Sequence, residues 1–400
     1  MSKIEKLLKE LCPNGVEFKA LGEVCERQKG INITAGEMEK IATKNGDIRI
    51  FAGGKTFVDT KKEFLQEQSI LKKTSIIVKS RGYVDFEYYK KPFTHKSEIW
   101  SYSLKDEKVN LKFIFYYLKN KVEYFQKIAK ANAVKIPQLA VADTDKFQIP
   151  IPPLEVQEEI VKILDTFTEL ERELERELES HIKQYEYYRN KLLSLEYLES
   201  SGGYELKTLD EITLKVSNII WSKADKKEYR YIDLSSVSRD IKQILTTTPI
   251  TRENAPSRAK QIVFKNDVLF ATTRPTLSRY CVVDDKFDNE ICSTGFCVLR
   301  AKKENVLPKW IFYCISTQIC LEFLENNQEG TSYPSISDRM FKTFQIPIPP
   351  LATQEKIVSI LDKFHALTTD LTSGIPAELE ARKKQYEYYR NKLLTFKEAR

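Results

Sequence analysis

Apolar residues recur at three- and four-residue steps through Ile160, Ile163, Leu164, Phe167, Leu170, Leu174, Leu178, Ile182, Tyr185 and Leu192. Such spacing marks one face of an α-helix. It predicts a helix from Glu155 to about Leu195, roughly 60 Å long at about 1.5 Å per residue. Gln157, Glu158 and Glu159 place acid near its start, where the helix dipole favours negative charge. A helix this long exposes a large apolar stripe unless something lies along it. A second stripe, Ile357, Ile360, Leu361, Phe364, Leu367, Leu371, Leu379, Tyr386 and Leu393, offers the partner. Ser373-Gly374-Ile375-Pro376 breaks it with a stop signal and then Pro in a new first turn, so two helices are expected there. Globular sequence precedes and follows each helical stretch, which predicts an antiparallel pair. The Ile-Pro-Ile-Pro-Pro-Leu run ahead of each stretch forbids helix and favours extended backbone.

These patterns belong to an internal repeat. FQIPIPPLEVQEEIVKILDTF, Phe147 to Phe167, recurs as FQIPIPPLATQEKIVSILDKF, Phe344 to Phe364, offset by 197 residues. KQYEYYRNKLL occurs at Lys183 to Leu193 and again at Lys384 to Leu394, offset by 201, so the second copy carries four extra residues between the blocks. Weaker echoes link GVEFKALGEV from Gly15 with GGYELKTLDEI from Gly202, and KFIFYYLKN from Lys112 with KWIFYCIST from Lys309. Between these anchors the halves share almost nothing. The N-terminal EKLLKELCPNGVEFKALGEV resembles the stretch from Asn190 that closes the first repeated unit. This circular order predicts an N-terminal helix beside the C-terminal one and a pseudo-two-fold object. The expected organisation is an N-terminal helix over 1–14, a variable unit over 15–146, a helical unit over 147–202, a second variable unit over 203–343 and a helical unit over 344–400. The fold class is α/β (α+β): two strand-rich globular units, each with one helix near 110–130 or 307–326, separated by an antiparallel helical pair.

Within the first long helix, ELERELERELES from Glu169 to Ser180 is a tandem four-residue tract. Each unit adds about 6 Å, and Glu–Arg pairs at i, i+3 and i+4 lace its surface. A sharper reading makes tract length the setting of a distance between the variable units.

Composition narrows the function. Of 400 residues, 42% are hydrophobic and 30% charged, which excludes a largely disordered chain. No apolar run is long enough to span a bilayer, and nothing near the N-terminus has the apolar core of a signal peptide. Seven scattered cysteines form no disulfide framework or metal pair, so the cytoplasm is the expected compartment. Residues 15–146 hold 25 basic and 17 acidic side chains, residues 203–343 hold 21 and 18, and residues 147–202 hold 6 and 13. Positive charge has therefore left the connector and gathered in the first variable unit, as contact with phosphate requires.

Catalytic and cofactor motifs are missing. The histidines, His95, His181 and His365, have no metal-ligand neighbour at helical or turn spacing. The sequence contains no phosphate-binding loop, dinucleotide fingerprint or nucleophile elbow. The Asp85-Phe86-Glu87 carboxylates are too ordinary a cluster to indicate a nuclease. Basic and aromatic residues do interleave from Lys72 to Lys91 and from Arg258 to Tyr280. Lys79, Arg81, Arg274 and Arg279 from these stretches, with Lys135 before Ile136-Pro137 and Ser332 before Tyr333-Pro334 at an offset of 197, are the candidate DNA contacts, against the plainer reading that the arginines brace strand ends. Tyr187, Tyr188 and Arg189, repeated as Tyr388, Tyr389 and Arg390, are candidates for a protein-binding helix face. The plainer alternative lays the tyrosines flat over the paired helix.

Twin FQIPIPPL blocks, twin KQYEYYRNKLL blocks, the SGIPAELEARKKQYEYYR stretch and the LERE-type tract together resemble the DNA specificity subunits of type I restriction–modification systems, over essentially the whole chain. The resemblance implies two target-recognition domains, each reading half of a bipartite double-stranded DNA site. It implies a helical pair acting as a ruler, and two methyltransferase subunits bound to it that use S-adenosylmethionine. Recruited motor–nuclease restriction subunits would use ATP and Mg. On this reading the chain is non-catalytic, holds no cofactor or metal and needs no membrane. The rivals are a coiled-coil interaction scaffold that does not read DNA and an enzyme with its own methyltransferase or nuclease.

Overall fold

A computed structural model describes residues 3–106, 108–133, 135–224, 228–370 and 373–399. The chain divides into two compact units, one formed by residues 1–172 and 382–400 and the other by 173–381. Both divisions fall inside helices, Leu154–Leu192 and Ile375–Leu393. Among the described residues no helix is long and apolar enough to cross a membrane.

In the first unit a four-stranded antiparallel sheet runs in the order Cys25–Gln28, Trp100–Leu104, Ser75–Lys79, Asp85–Tyr89. A three-stranded sheet pairs Ile48–Phe51 with Phe57–Thr60 antiparallel and with Phe93–His95 parallel. Behind the larger sheet, Ile76, Val78, Phe86 and Tyr102 bury against Phe113, Ile114 and Phe125, and then against Ile160 and Leu164 of the long helix. The helix Lys3–Leu11 joins this core through Ile4. Val16 hydrogen-bonds to Lys397 and Ala399 near the C-terminus.

The second unit repeats the plan although its sequence between the repeated anchors differs. Its main sheet runs Thr213–Leu214, Phe296–Ala301, Val268–Ala271, Tyr280–Val282, and a second sheet again contains one parallel pair, Tyr229–Ile232 with Glu290–Ser293. Phe270, Trp310, Phe312 and Phe341 pack with Ile357 and Leu361 of the helix Leu351–Thr369.

The proline-rich runs are extended, as expected. Gln148–Pro150 pairs antiparallel with Phe18–Ala20, and Gln345–Ile348 with Glu205–Thr208. Helix follows at Leu154 and at Leu351. The first long helix is continuous to Leu192, where Ser194 caps a new short helix, Leu195–Ser200. The second stripe is two helices, Leu351–Thr369 and Ile375–Leu393; Leu371 of that stripe lies outside the described residues. Within the first unit Phe167 stacks on Tyr389 while Glu171 meets Lys383, and within the second Tyr188 stacks on Phe364 while Tyr185 meets His365. In each case rising numbers on one helix meet falling numbers on the other, so the pairing is antiparallel.

The single helix expected in each variable unit is in fact two. Leu111–Asn120 and Val122–Ala131 divide at Lys121, whose backbone leaves the helical range, and Pro308–Cys314 and Gln318–Asn327 divide where the Thr317 side chain caps the second.

Candidate nucleic-acid interface

Each main sheet delivers one strand end to an exposed loop pair. In the first unit Ser75–Lys79 runs into Ser80-Arg81-Gly82, and Gly82, at φ +77°, makes the turn. The Ser80 carbonyl accepts from Leu139 N–H and the Pro137 carbonyl from Gly82 N–H, both at 2.9 Å. Arg81 is thereby fixed opposite Gln138, beside the exposed Lys135 and Ile136. Tyr83 projects from the same turn, with the Lys55 ammonium 5.5 Å from its ring.

The second unit builds the same closure from other residues. The Thr272 carbonyl accepts from Ile336 N–H, and Arg274 N–H donates to the Pro334 carbonyl at 2.7 Å. Glu329 and Ser335 exchange both backbone hydrogen bonds, making a hairpin whose tip carries Ser332 and Tyr333. Arg274 holds φ +49°, ψ 58°, a left-handed conformation uncommon for a side chain of this size. Its exposed guanidinium lies 4.5 Å from the centre of the Tyr333 ring, itself 72% exposed. A planar cation on an aromatic face at a loop tip is suited to stacking and to bidentate hydrogen bonding.

Arg81 and Lys135 thus come together in one unit, and Arg274 and Ser332 in the other. Lys79 does not join them. The residue is 4% exposed, with its ammonium 4.2 Å from the Phe51 ring centre and 3.5 Å from Glu87, so it serves the core and is not placed to meet DNA. Strand alternation sets Lys79 on the same face as Ile77, which packs in one cluster with Phe51. Burial accordingly lowers its pKa. Arg279 is half-buried and donates to the Leu234 carbonyl. Next to it Lys242 donates to the Ser278 carbonyl over the Tyr280 ring, and burial lowers its pKa to about 8, with Asp240 opposing the shift and Arg189 and Arg239 adding to it. These crowded cations favour an anion nearby. The Asp85 carboxylate is held by Lys119 at 2.7 Å, which gives that acid a structural partner.

On the helices the tyrosines divide. Tyr187 and Tyr388 are 59% and 63% exposed, whereas Tyr188 and Tyr389 lie nearly parallel to Phe364 and Phe167 with centroids 5.3 and 5.5 Å apart. Arg189 folds over Tyr185, and Arg390 over Tyr386 with its Nε donating to Asn120 at 3.0 Å. Of the six candidates, therefore, one tyrosine in each unit points fully outward, Tyr388 in the first and Tyr187 in the second.

One set of repeated residues escaped sequence reasoning. Gln157 is fully buried and accepts from Asn110 N–H, while Asp165 accepts from Lys112 and Tyr116. Gln354 likewise accepts from Leu307 N–H, and Asp362 from Lys309 and Tyr313. The signal was present, because every member is offset by 197 from its twin, as the repeated blocks are.

Comparison with known proteins agrees with this duplicated architecture. The family model described as "Type I restriction modification DNA specificity domain" matches twice, over residues 13–184 and 201–381. The chain is 29% identical to the EcoR124I/EcoR124II type I restriction enzyme specificity subunit of Escherichia coli, covering 99% of this chain and 97% of that protein. It is 31% identical to a putative type I restriction enzyme specificity subunit of Haemophilus influenzae, over 72% of this chain and 73% of that one. The crystal structure of a type I restriction–modification S subunit from M. genitalium shares the fold, with a TM-score of 0.59 at 18% identity over 95% of this chain and 96% of that one. The two matched segments begin near the two paired-strand entries and carry both loop pairs, and the chain belongs to the type I restriction–modification DNA specificity family.

Proposed function

We propose that this protein is the DNA-reading specificity subunit of a type I restriction–modification complex, with each unit reading one half of a bipartite, asymmetric site. The observation that carries this reading is the repeated closure of an exposed loop pair by main-chain atoms, on two matched scaffolds, with different side chains presented in each. Two unlike readers on one chain call for two unlike half-sites. Arg81, Lys135, Arg274 and Ser332 stand where bases or phosphates would be met, and hydrogen bonds to base edges specify while phosphate contacts set register. The more internally committed Arg279 belongs with the crowded cations that would face the backbone.

The helices supply the spacer and the docking face. One methyltransferase subunit would bind around Tyr187 and another around Tyr388, with Arg189 and Arg390 flanking each tyrosine on its own helix. Chemistry would reside in partners: S-adenosylmethionine with the methyltransferase subunits, ATP and Mg with the motor–nuclease subunits. The chain itself would act in the cytoplasm without catalysis. The exposed Tyr187 and Tyr388 also fit a scaffold that never reads DNA.

Methylation mapping of the source genome, with and without this gene, separates the two. Loss of one bipartite methylated motif on deletion supports the reader; an unchanged methylome with the chain expressed supports the scaffold. Arg81→Ala and Arg274→Ala should each relax or weaken a different half-site, by about 1–3 kcal/mol for a base contact. For a phosphate contact, affinity should instead fall uniformly and the salt slope by about one. Unchanged binding at every site in both variants would refute the assignment.

A further inference from the structure

Apolar packing joins each reading unit to its helix, through Ile114 with Ile160 and Leu164 in one unit and Ile311 with Ile357 and Leu361 in the other. Such packing is non-directional and tolerates rolling and sliding. Two polar contacts on the same face do not. In the first unit Gln157 Oε1 accepts from Asn110 N–H at 2.8 Å, and its Nε2 donates to the Pro152 carbonyl at 2.7 Å. Eight residues on, about 12 Å along the axis, the two oxygens of Asp165 accept from the Tyr116 hydroxyl at 2.6 Å and the Lys112 ammonium at 2.8 Å. The second unit repeats both points. Gln354 accepts from Leu307 N–H at 3.0 Å and donates to the Asn305 and Pro349 carbonyls, and Asp362 accepts from Tyr313 at 2.6 Å and Lys309 at 2.7 Å.

Each pair of points spans the segment that is allowed to vary and the segment that is repeated. One point grips a helix N-terminus in the reader, and the other grips that helix from a lysine in its first turn to a tyrosine six residues past the first point. Two anchors on one helix fix both its angle and its position along the partner.

We infer that Gln157 with Asp165, and Gln354 with Asp362, are positioning residues that hold each reader at a set angle on its helix, so that targets with a gap one base pair too long or too short are rejected. This rests on the reading given under Proposed function. The lever makes the angle matter. A strand of five or six residues is about 17–20 Å long, so a roll of roughly ten degrees moves a loop at its far end by about 3 Å. That displacement is close to the rise of about 3.4 Å per base pair.

The test uses the full chain assembled with its methyltransferase subunits and S-adenosylmethionine. Substrates are duplexes bearing the wild-type motif at its native gap and at gaps one base pair shorter and longer. Asp165→Asn and Asp362→Asn should each raise methylation of the altered-gap duplexes, relative to the native gap, by fivefold or more. Activity on the native gap should change less. If either substitution prevents assembly, Tyr116→Phe and Tyr313→Phe remove the hydroxyl donor to Asp165 or Asp362 at nearly constant shape and are read the same way. A gap profile identical to wild type would overturn the inference, whether native-gap activity is kept or falls uniformly, because a merely stabilising contact lowers all gaps together. A wild-type complex that methylates no bipartite motif would overturn the underlying reading as well, and the wild-type reaction alone reports that outcome.

Discussion

Gln354→Met keeps an unbranched side chain of similar length at a fully buried position and deletes its polar atoms. Leu307 N–H, at the start of the helix Pro308–Cys314, then loses its side-chain acceptor, and the carbonyl of the buried Pro349 loses a donor. The Asn305 carbonyl also loses its partner, but Asn305 is exposed and water can replace it. An unsatisfied buried group costs about 1–3 kcal/mol, so two such groups predict a loss of about 3 kcal/mol after a small gain from the added apolar surface. Gln157→Met should cost about the same, since it orphans Asn110 N–H and the carbonyl of the buried Pro152. Native-state hydrogen exchange checks this locally: a loss of 3 kcal/mol raises the exchange rate at the Leu307 or Asn110 amide about 150-fold. Urea unfolding checks it globally, and the effect should fall on the unit that holds the altered residue. A change below about 0.5 kcal/mol in both measurements would refute the claim that these glutamines are obligatory partners.

Two further expectations concern pH and the helix face. Burial lowers the pKa of both His95 and His365 to about 4, the latter packed against Phe312 and Tyr313. The unfolded chain protonates near pH 6.5, so it binds more protons than the folded one between about 6.5 and 4, and stability drops as pH falls through that window. Between pH 7 and pH 5 each histidine should cost about 2 kcal/mol; urea melts of His365→Phe should lose its share of that slope, and a slope matching wild type would refute the assignment. Tyr188→Ala and Tyr389→Ala, which remove rings stacked on Phe364 and Phe167, should lower stability by about 1 kcal/mol or more. Tyr187→Ala and Tyr388→Ala should leave melting unchanged yet weaken methyltransferase-subunit binding severalfold by calorimetry.

The helices, their break at Gly374 and the extended proline runs were legible because periodicity and proline chemistry act locally. The two-unit plan was legible because a repeat of twenty residues cannot arise from independent patterns. The sheets were not: matching strand orders grew from segments such as Ser75–Lys79 and Val268–Ala271 that share only their burial. Lys79 was misplaced because a charge in sequence reads as surface, whereas Phe51 and Glu87 provide an interior setting that only folding brings together. Lys112 and Lys309 head the echoed segments, but their carboxylate partners lie more than fifty residues away and no local pattern joins them.

Each of these exposed loop pairs is closed by main-chain atoms that every residue but proline can supply: Gly82 N–H on the Pro137 carbonyl, and Arg274 N–H on the Pro334 carbonyl. Closure of that kind asks little of the side chains that project from it. Mutation can therefore exchange residues such as Lys135, Ile136, Ser332 or Tyr333 without first breaking a core or a salt bridge. A lineage under pressure to change what it recognises could drift through such loops in single steps, each variant still folded and available to selection.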